Sequence, residues 1–374
     1  QLMRLKMNYE KIRNKVRVYM NILVIGNGFD LAHGLPTSYK EFLKFVLESA
    51  DMCSRFQKNG LGDKESASAV AEIKEMIKDN FWINHFEKVS ECGENWIDFE
   101  TEISKVIQEI DAVRKLINEA RRNPMEEAKY YREIENQYAG FSEKYSLDDV
   151  WDNPKGMQLV KENLLRDLNR LTHCLEIYLC QYVNKIEING KEIEMLKNLQ
   201  INHVLSFNYT NTFERIYGNC RDGVKYHFIH GKADIKNNAD TCNMILGIDE
   251  YLTDTERDSD NEFIEFKKFF QRIYKGTGAE YKKWIHRTER KKKEFPTAHY
   301  EADEIYILGH SLDVSDKDVL SEILLCPNAN VHIIYHNKKA LADKIANVVK
   351  IIGQDKLIEK SYSENPQIDF IEQK

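Results

Sequence analysis

Three stretches carry residue types that could do chemistry together. In the first, Gly26 and Gly28 flank Asn27 at the end of an apolar run, and Asp30 follows two residues later. Glycines there let a ligand approach the backbone closely, and free N–H groups at a following helix start favour an anionic phosphate. Asp30 is the nearest acid to this loop, suited to orienting a hydroxyl or stabilising a developing positive charge. In the second stretch, SFNYT, Asn208 offers an amide donor and an acceptor that could fix a hydroxyl or a water. In the third, FIHG, His230 can accept a proton near neutral pH. Plain readings stand beside these. Gly26-Asn27-Gly28 could be only a tight strand-to-helix turn, Asn208 a turn residue bonded to nearby backbone, and His230-Gly231 a strand end with its turn glycine. A dinucleotide fingerprint would require a third glycine at position 31, where Leu31 stands, and no acid is clearly placed to hold a ribose.

These residues need strands to deliver them. Residues 21–26 (NILVIG), 203–207 (HVLSF), 304–309 (EIYILG) and 331–336 (VHIIYH) are short and apolar throughout, the pattern of parallel strands covered on both faces. Residues 224–230, and more weakly 244–247, join them. A helical pattern over 341–352 after the last strand completes the rhythm of an α/β domain. From about 40 to 200 the period changes. Ile103, Val106, Ile110, Val113 and Ile117 step by three or four, as do Met157, Val160, Leu164, Leu168, Leu171, Leu175 and Tyr178. Both are amphipathic helices, in a helical subdomain inserted into the α/β domain. Residues 1–19 read as an extension before Met20, and residues 20–374 as the domain itself.

Composition narrows the function classes. A net charge of −7 argues against a general nucleic-acid surface. The basic run from Lys282 to Lys293 is interrupted by acids and reads as a solvated helix face, with nucleic acid or a phosphate-rich ligand as the alternative. The 7 cysteines include no CxxC pair, which points to reduced thiols in a cytoplasm and away from a cysteine zinc site. Neither a signal-peptide apolar region nor a membrane-spanning run stands in the sequence, and no metal is expected.

The glycine loop has a further likeness. Gly26-x-Gly28-Phe29-Asp30-x-x-x-Gly34-Leu35-Pro36 resembles the sirtuin signature, in which a Gly-Ala-Gly-Ile-Ser is followed by Gly-Ile-Pro. Ser206-Phe207-Asn208-Tyr209, Ile229-His230-Gly231 and Leu308-Gly309-His310-Ser311-Leu312 resemble further sirtuin segments, in the same order. With WIDFE at 96–100 and ILGHSLDVSD at 307–316, the set resembles the phage abortive-infection AbiH family over most of the chain. The resemblance implies a sirtuin-like, Rossmann-type parallel sheet with a large helical insertion. It implies a bacterial antiphage role and NAD, or a related nucleotide, as ligand. Gly26, Asn27, Gly28, Phe29, Gly34, Pro36, Ser206, Gly309, His310 and Ser311 would line the cofactor, with Asn208, His230 and Asp30 catalytic. His33 lies in the same loop and could also touch ligand.

Departures from the sirtuin pattern shape the expectation. Thr37-Ser38-Tyr39 replaces their Asp-Phe-Arg, the zinc-module cysteines are missing, and Thr210 stands where an aspartate often follows. Acyl-lysine removal is therefore disfavoured, and hydrolysis of NAD to nicotinamide and ADP-ribose is the leading expectation. Its rivals are a non-catalytic sensor of NAD or ADP-ribose within a defence assembly, homo-oligomeric or with a partner, and a nucleic-acid-targeting effector. A phage-derived trigger is implied but not identified. In WIDFE, Asp98 reads as a helix cap and Trp96 and Phe99 as core; the alternative puts Asp98 or Glu100 at a pocket rim.

Overall fold

Alternate residues of the first strand enter different apolar layers. Ile22 and Val24 pack with Leu205, Ile307 and Ile333, while Leu23 and Ile25 pack with Phe29, Val204 and Leu308. A strand buried on both faces shows no polar alternation, which explains the continuous apolar runs. The computed structural model describes residues 20–48, 51–91, 98–138, 141, 145, 147–188, 192–218, 223–294 and 300–373. The expected extension 1–19, and Trp96 and Ile97 of WIDFE, lie outside them.

The sheet has six strands: β1 (Asn21–Ile25), β2 (His203–Ser206), β3 (Lys225–Phe228), β4 (Asp303–Leu308), β5 (Ala329–Tyr335) and β6 (Ile368–Glu372). All are parallel, in the order β3-β2-β1-β4-β5-β6. The chain winds outward one way from β1 and the other way from β4, so the topological switch lies between those two strands. In open α/β sheets a ligand crevice forms there, beyond the strands' carboxyl ends.

Strand β6 was not among the expected strands. It is an edge strand in which Ile368 is buried while Asp369 and Glu372 are exposed, so no apolar run marks it. Residues 244–247 form no strand. Met244, Ile245 and Leu246 are fully buried but lie outside the six strands, and an isolated bridge joins Ile248 to Lys267. Burial rather than strand pairing accounts for that apolar run.

The chain divides into two compact units. The sheet unit takes the residues up to Thr37, Ile186–Lys232 and those from Thr277 onward; the helical unit takes Ser38–Lys185 and Ala233–Gly276. The insertion therefore comes in two pieces. Residues 186–200, at the end of the expected insertion, belong to the sheet unit, where Leu196 of the helix Glu194–Asn198 joins the core. The basic run expected on one helix face is split between the helices Glu280–Ile285 and Arg287–Glu294, which follow the helix Lys268–Tyr274. Gly276 and Gly278 both take a positive φ, which ends Lys268–Tyr274.

In the helical unit the expected periodicities hold. Ile103, Val106, Ile110, Val113 and Ile117 are all buried on the helix Phe99–Arg122, and Val160, Leu164, Leu168, Leu171 and Leu175 on Gly156–Ile177. Asp98 accepts a hydrogen bond from the Glu100 N–H at 3.0 Å, capping its helix. Phe99 stacks on Phe86 at 3.9 Å. The Glu100 carboxylate sits 2.6 Å from the ammonium of buried Lys268.

Candidate functional site

Each motif falls at the carboxyl end of a strand. Gly26 follows β1, Asn208 follows β2, His230 follows β3 and Gly309-His310 follows β4. The two loops at the switch are in direct backbone contact: the Gly28 N–H donates to the Gly309 carbonyl at 2.7 Å. A Cβ on Gly28 would lie 2.7 Å from that oxygen, and one on Gly26 only 2.8 Å from the His310 Cα. Close approach of chain to chain is thus enough to require both glycines. The Phe29 N–H is also taken, by the Gly26 carbonyl at 2.8 Å. Asn27 is exposed, and its side chain accepts from the Thr37 hydroxyl at 2.6 Å. Gly34 takes a positive φ in the turn leading to Leu35 and Pro36.

One cluster surrounds Asp30. Its Oδ2 accepts from the Thr210 hydroxyl at 2.5 Å, and Thr212 donates to Thr210 in turn at 3.0 Å. The Asn208 amide donates to the Gly26 carbonyl at 3.0 Å, and its backbone N–H to Ser206 Oγ at 3.1 Å. Asp30 is 1% exposed, and among the described residues its Oδ1 has no hydrogen-bond donor. Burial drives the carboxyl up to about 6, outweighing the Thr210 hydrogen bond, the nearby polar groups of Thr212 and Asn208 and the attraction of Arg215, which favour ionisation. Thr210 is the direct hydrogen-bond partner of Asp30. Next to a second carboxylate, Asp30 would be harder still to ionise.

A second cluster surrounds Asp316. His230 Nε2 lies 3.1 Å from Asp316 Oδ1, and His310 Nε2 lies 3.6 Å from Oδ2. All three are buried. The Phe207 ring meets both imidazoles edge-on, at 5.4 Å and 4.3 Å between centroids. The Leu312 N–H donates to His310 Nδ1 at 2.9 Å, so a neutral His310 carries its proton on Nε2, facing Asp316. Leu312 takes a φ of 60° to make that bond. The His310 carbonyl accepts from Lys344, and the Ser311 carbonyl from Asn347 at 3.0 Å. A carboxylate between two imidazoles can stabilise the positive charge that forms when either takes a proton.

His33 does something else. Its Nδ1 donates to the Phe29 carbonyl at 2.7 Å, and the Tyr217 hydroxyl lies 3.1 Å from Nε2. Tyr217 also accepts from the Ile193 N–H at 2.8 Å. This histidine ties the loop to neighbouring backbone. Asp316 was not singled out from the sequence: three aspartates stand within six residues, at 313, 316 and 318. Asp313 caps a short turn through the Ser315 N–H at 2.9 Å, and only the fold separates the two roles.

Residues 22–336 match the family described as bacteriophage abortive infection AbiH. The chain belongs to the AbiH family. No curated protein and no solved structure matches it. The AbiH match runs from β1 through β5 and takes in every loop of both clusters. Among the described residues of this AbiH protein no helix is long and apolar enough to cross a membrane.

The Asp30 environment has a measurable consequence. With its carboxyl raised from 3.8 to about 6, the folded state holds this proton more tightly than the unfolded chain. That contribution is complete below pH ~4 and is lost as pH rises through ~6. Two units correspond to about 3 kcal/mol. Urea unfolding at pH 4 and pH 7 should show this fall in the wild type, and Asp30→Asn should flatten it.

Proposed function

We propose that this AbiH protein serves abortive infection by hydrolysing NAD to nicotinamide and ADP-ribose within a sirtuin-like fold. The observation that carries the proposal is the set of four motif loops gathered at the switch point, with the unsatisfied Asp30 oxygen beside Asn208. That is where an open α/β sheet takes a nucleotide. The sirtuin-like order of the same motifs supports the choice of NAD.

The chemistry assigns the two clusters complementary roles. Water adds to the ribose anomeric carbon, the bond from that carbon to the nicotinamide nitrogen breaks, and nicotinamide leaves with the electron pair. The water proton goes to His230, whose charge Asp316 balances. Positive charge growing on the ribose is met by the ionised Asp30 carboxylate, while Asn208 fixes a ribose hydroxyl or the water. An acid raised to about 6 is mostly ionised at neutral pH, so kcat/KM should rise as pH passes through that value. The decisive experiment is incubation of purified protein with NAD and chromatography of the products. Nicotinamide and ADP-ribose in equal amounts support the reading. Intact NAD in the presence of folded protein that binds it would favour the sensor role instead.

A further inference from the structure

The motif loops occupy the carboxyl ends of the strands, while the amino ends of β2 and β3 open on a different cleft of about 780 Å³. His203 and Lys225, paired in register, stand at its strand side. The helices Glu280–Ile285 and Arg287–Glu294 add Lys283, Trp284, Arg287 and Arg290. Four cations thus face one acid, Glu280, which is engaged by Lys283 at 2.5 Å. Arg290 donates to the Lys283 carbonyl, which satisfies donors without cancelling charge. Among the described residues Lys225 and Arg287 have no ion-pair partner. Asp303 is close enough to be felt by Arg287, but its oxygens accept from the Met20 N–H at 2.9 Å and the Thr288 hydroxyl at 2.8 Å.

His203 reports the resulting field. Its ring packs on Trp284 at 4.5 Å, and its Nδ1 is buried with no hydrogen-bond partner among the described residues. Burial, then the charges of Lys225 and Arg287, push its pKa down to about 4. Four cations against one lining acid leave the cleft net positive, in a chain whose net charge is −7. A cleft of this size suits a small molecule, and guanidinium and ammonium groups together suit phosphate. The acidic whole disfavours a long nucleic-acid backbone.

We propose that this cleft is a second binding site, for a small ligand carrying two or more phosphate groups, held chiefly by Lys225 and Arg287. The proposal is independent of the chemistry assigned to the motif loops. Calorimetric titration of the full chain with inorganic tripolyphosphate tests it. One saturable site is expected, with affinity reduced about tenfold or more by Lys225→Glu and by Arg287→Glu. Lys339→Glu changes the net charge equally, but on the exposed start of the helix Lys338–Ile352, and should leave affinity within about twofold. Thermal unfolding checks that each variant is folded, and Arg287→Gln replaces Arg287→Glu if it is not. Bound phosphate should also raise the His203 pKa, followed by its imidazole resonance. Absence of saturable binding to folded wild type overturns the site. So does an equal loss in Lys339→Glu, or tighter binding of a short single-stranded oligonucleotide that depends on Lys292 and Lys293.

Discussion

Gly309→Ala is expected to abolish stable folding of the sheet unit. Gly309 takes a φ of 68°, and a Cβ there would lie 2.1 Å from the Phe29 nitrogen and 2.6 Å from the Gly28 carbonyl carbon. The left-handed conformation alone costs a residue with a side chain roughly 1–2 kcal/mol. The larger part comes from the contact, because both neighbours are backbone atoms in the first turn of the helix Asn27–Ala32 that follows the central strand. They cannot withdraw without breaking the Gly28–Gly309 hydrogen bond at the switch point. A total loss above about 4 kcal/mol places the change among the exceptional ones. Gly278→Ala is the matched control: its φ is 80°, but nothing lies within 4 Å of the added methyl. It should lose only the conformational part, about 1–2 kcal/mol. Denaturant unfolding of the two variants separates strain from collision. Equal losses would show that the two loops at the switch are not locked together.

The same contact bears on how the glycines are to be probed. Valine at position 28 would remove ligand binding by disrupting the fold, whether or not a ligand touches the loop. Side chains whose truncation adds no atoms to a packed site, such as His230 or Asn208, are the better probes of chemistry.

What was legible in the sequence follows from physical cause. The strands β1, β2, β4 and β5 showed because burial on both faces leaves apolar runs, and the long helices because one buried stripe repeats at 3.6 residues. β6 was hidden because an edge strand buries little. The second piece of the helical unit was hidden because nothing in residues 233–276 marks which unit they join. At the site, Asn208 and His230 were legible as strand-end residues. Asp316 was not, because its role depends on facing two histidines that lie 86 and 6 residues away in sequence. Likewise, only burial by surrounding chain sets the Asp30 carboxyl apart from any other aspartate near a glycine turn.

On the proposed hydrolysis, His230→Ala and Asn208→Ala should each reduce NAD turnover by about 10²–10⁴-fold, the usual range for a positioned acid–base group. The two substitutions should differ in character. His230→Ala removes the proton acceptor, so kcat falls while KM changes little. Asn208→Ala also releases the Gly26 carbonyl, so KM should rise along with the loss in kcat. Asp316→Asn tests the positioning role directly. It keeps the shape but removes the charge that faces His230 at 3.1 Å, so an imidazolium formed there is no longer balanced. Turnover should fall at neutral pH, with the acidic limb of the pH profile moved to lower pH, and KM should remain within about twofold. A purely structural Asp316 would lower the unfolding temperature and scale kcat only with the folded fraction. His310→Ala serves as the internal comparison. This ring holds the Leu312 N–H and faces the same carboxylate, so its loss should act through stability more than through kcat. If folded His230→Ala and Asp316→Asn proteins turn NAD over at the wild-type rate, the second cluster is scaffolding and the proton goes elsewhere.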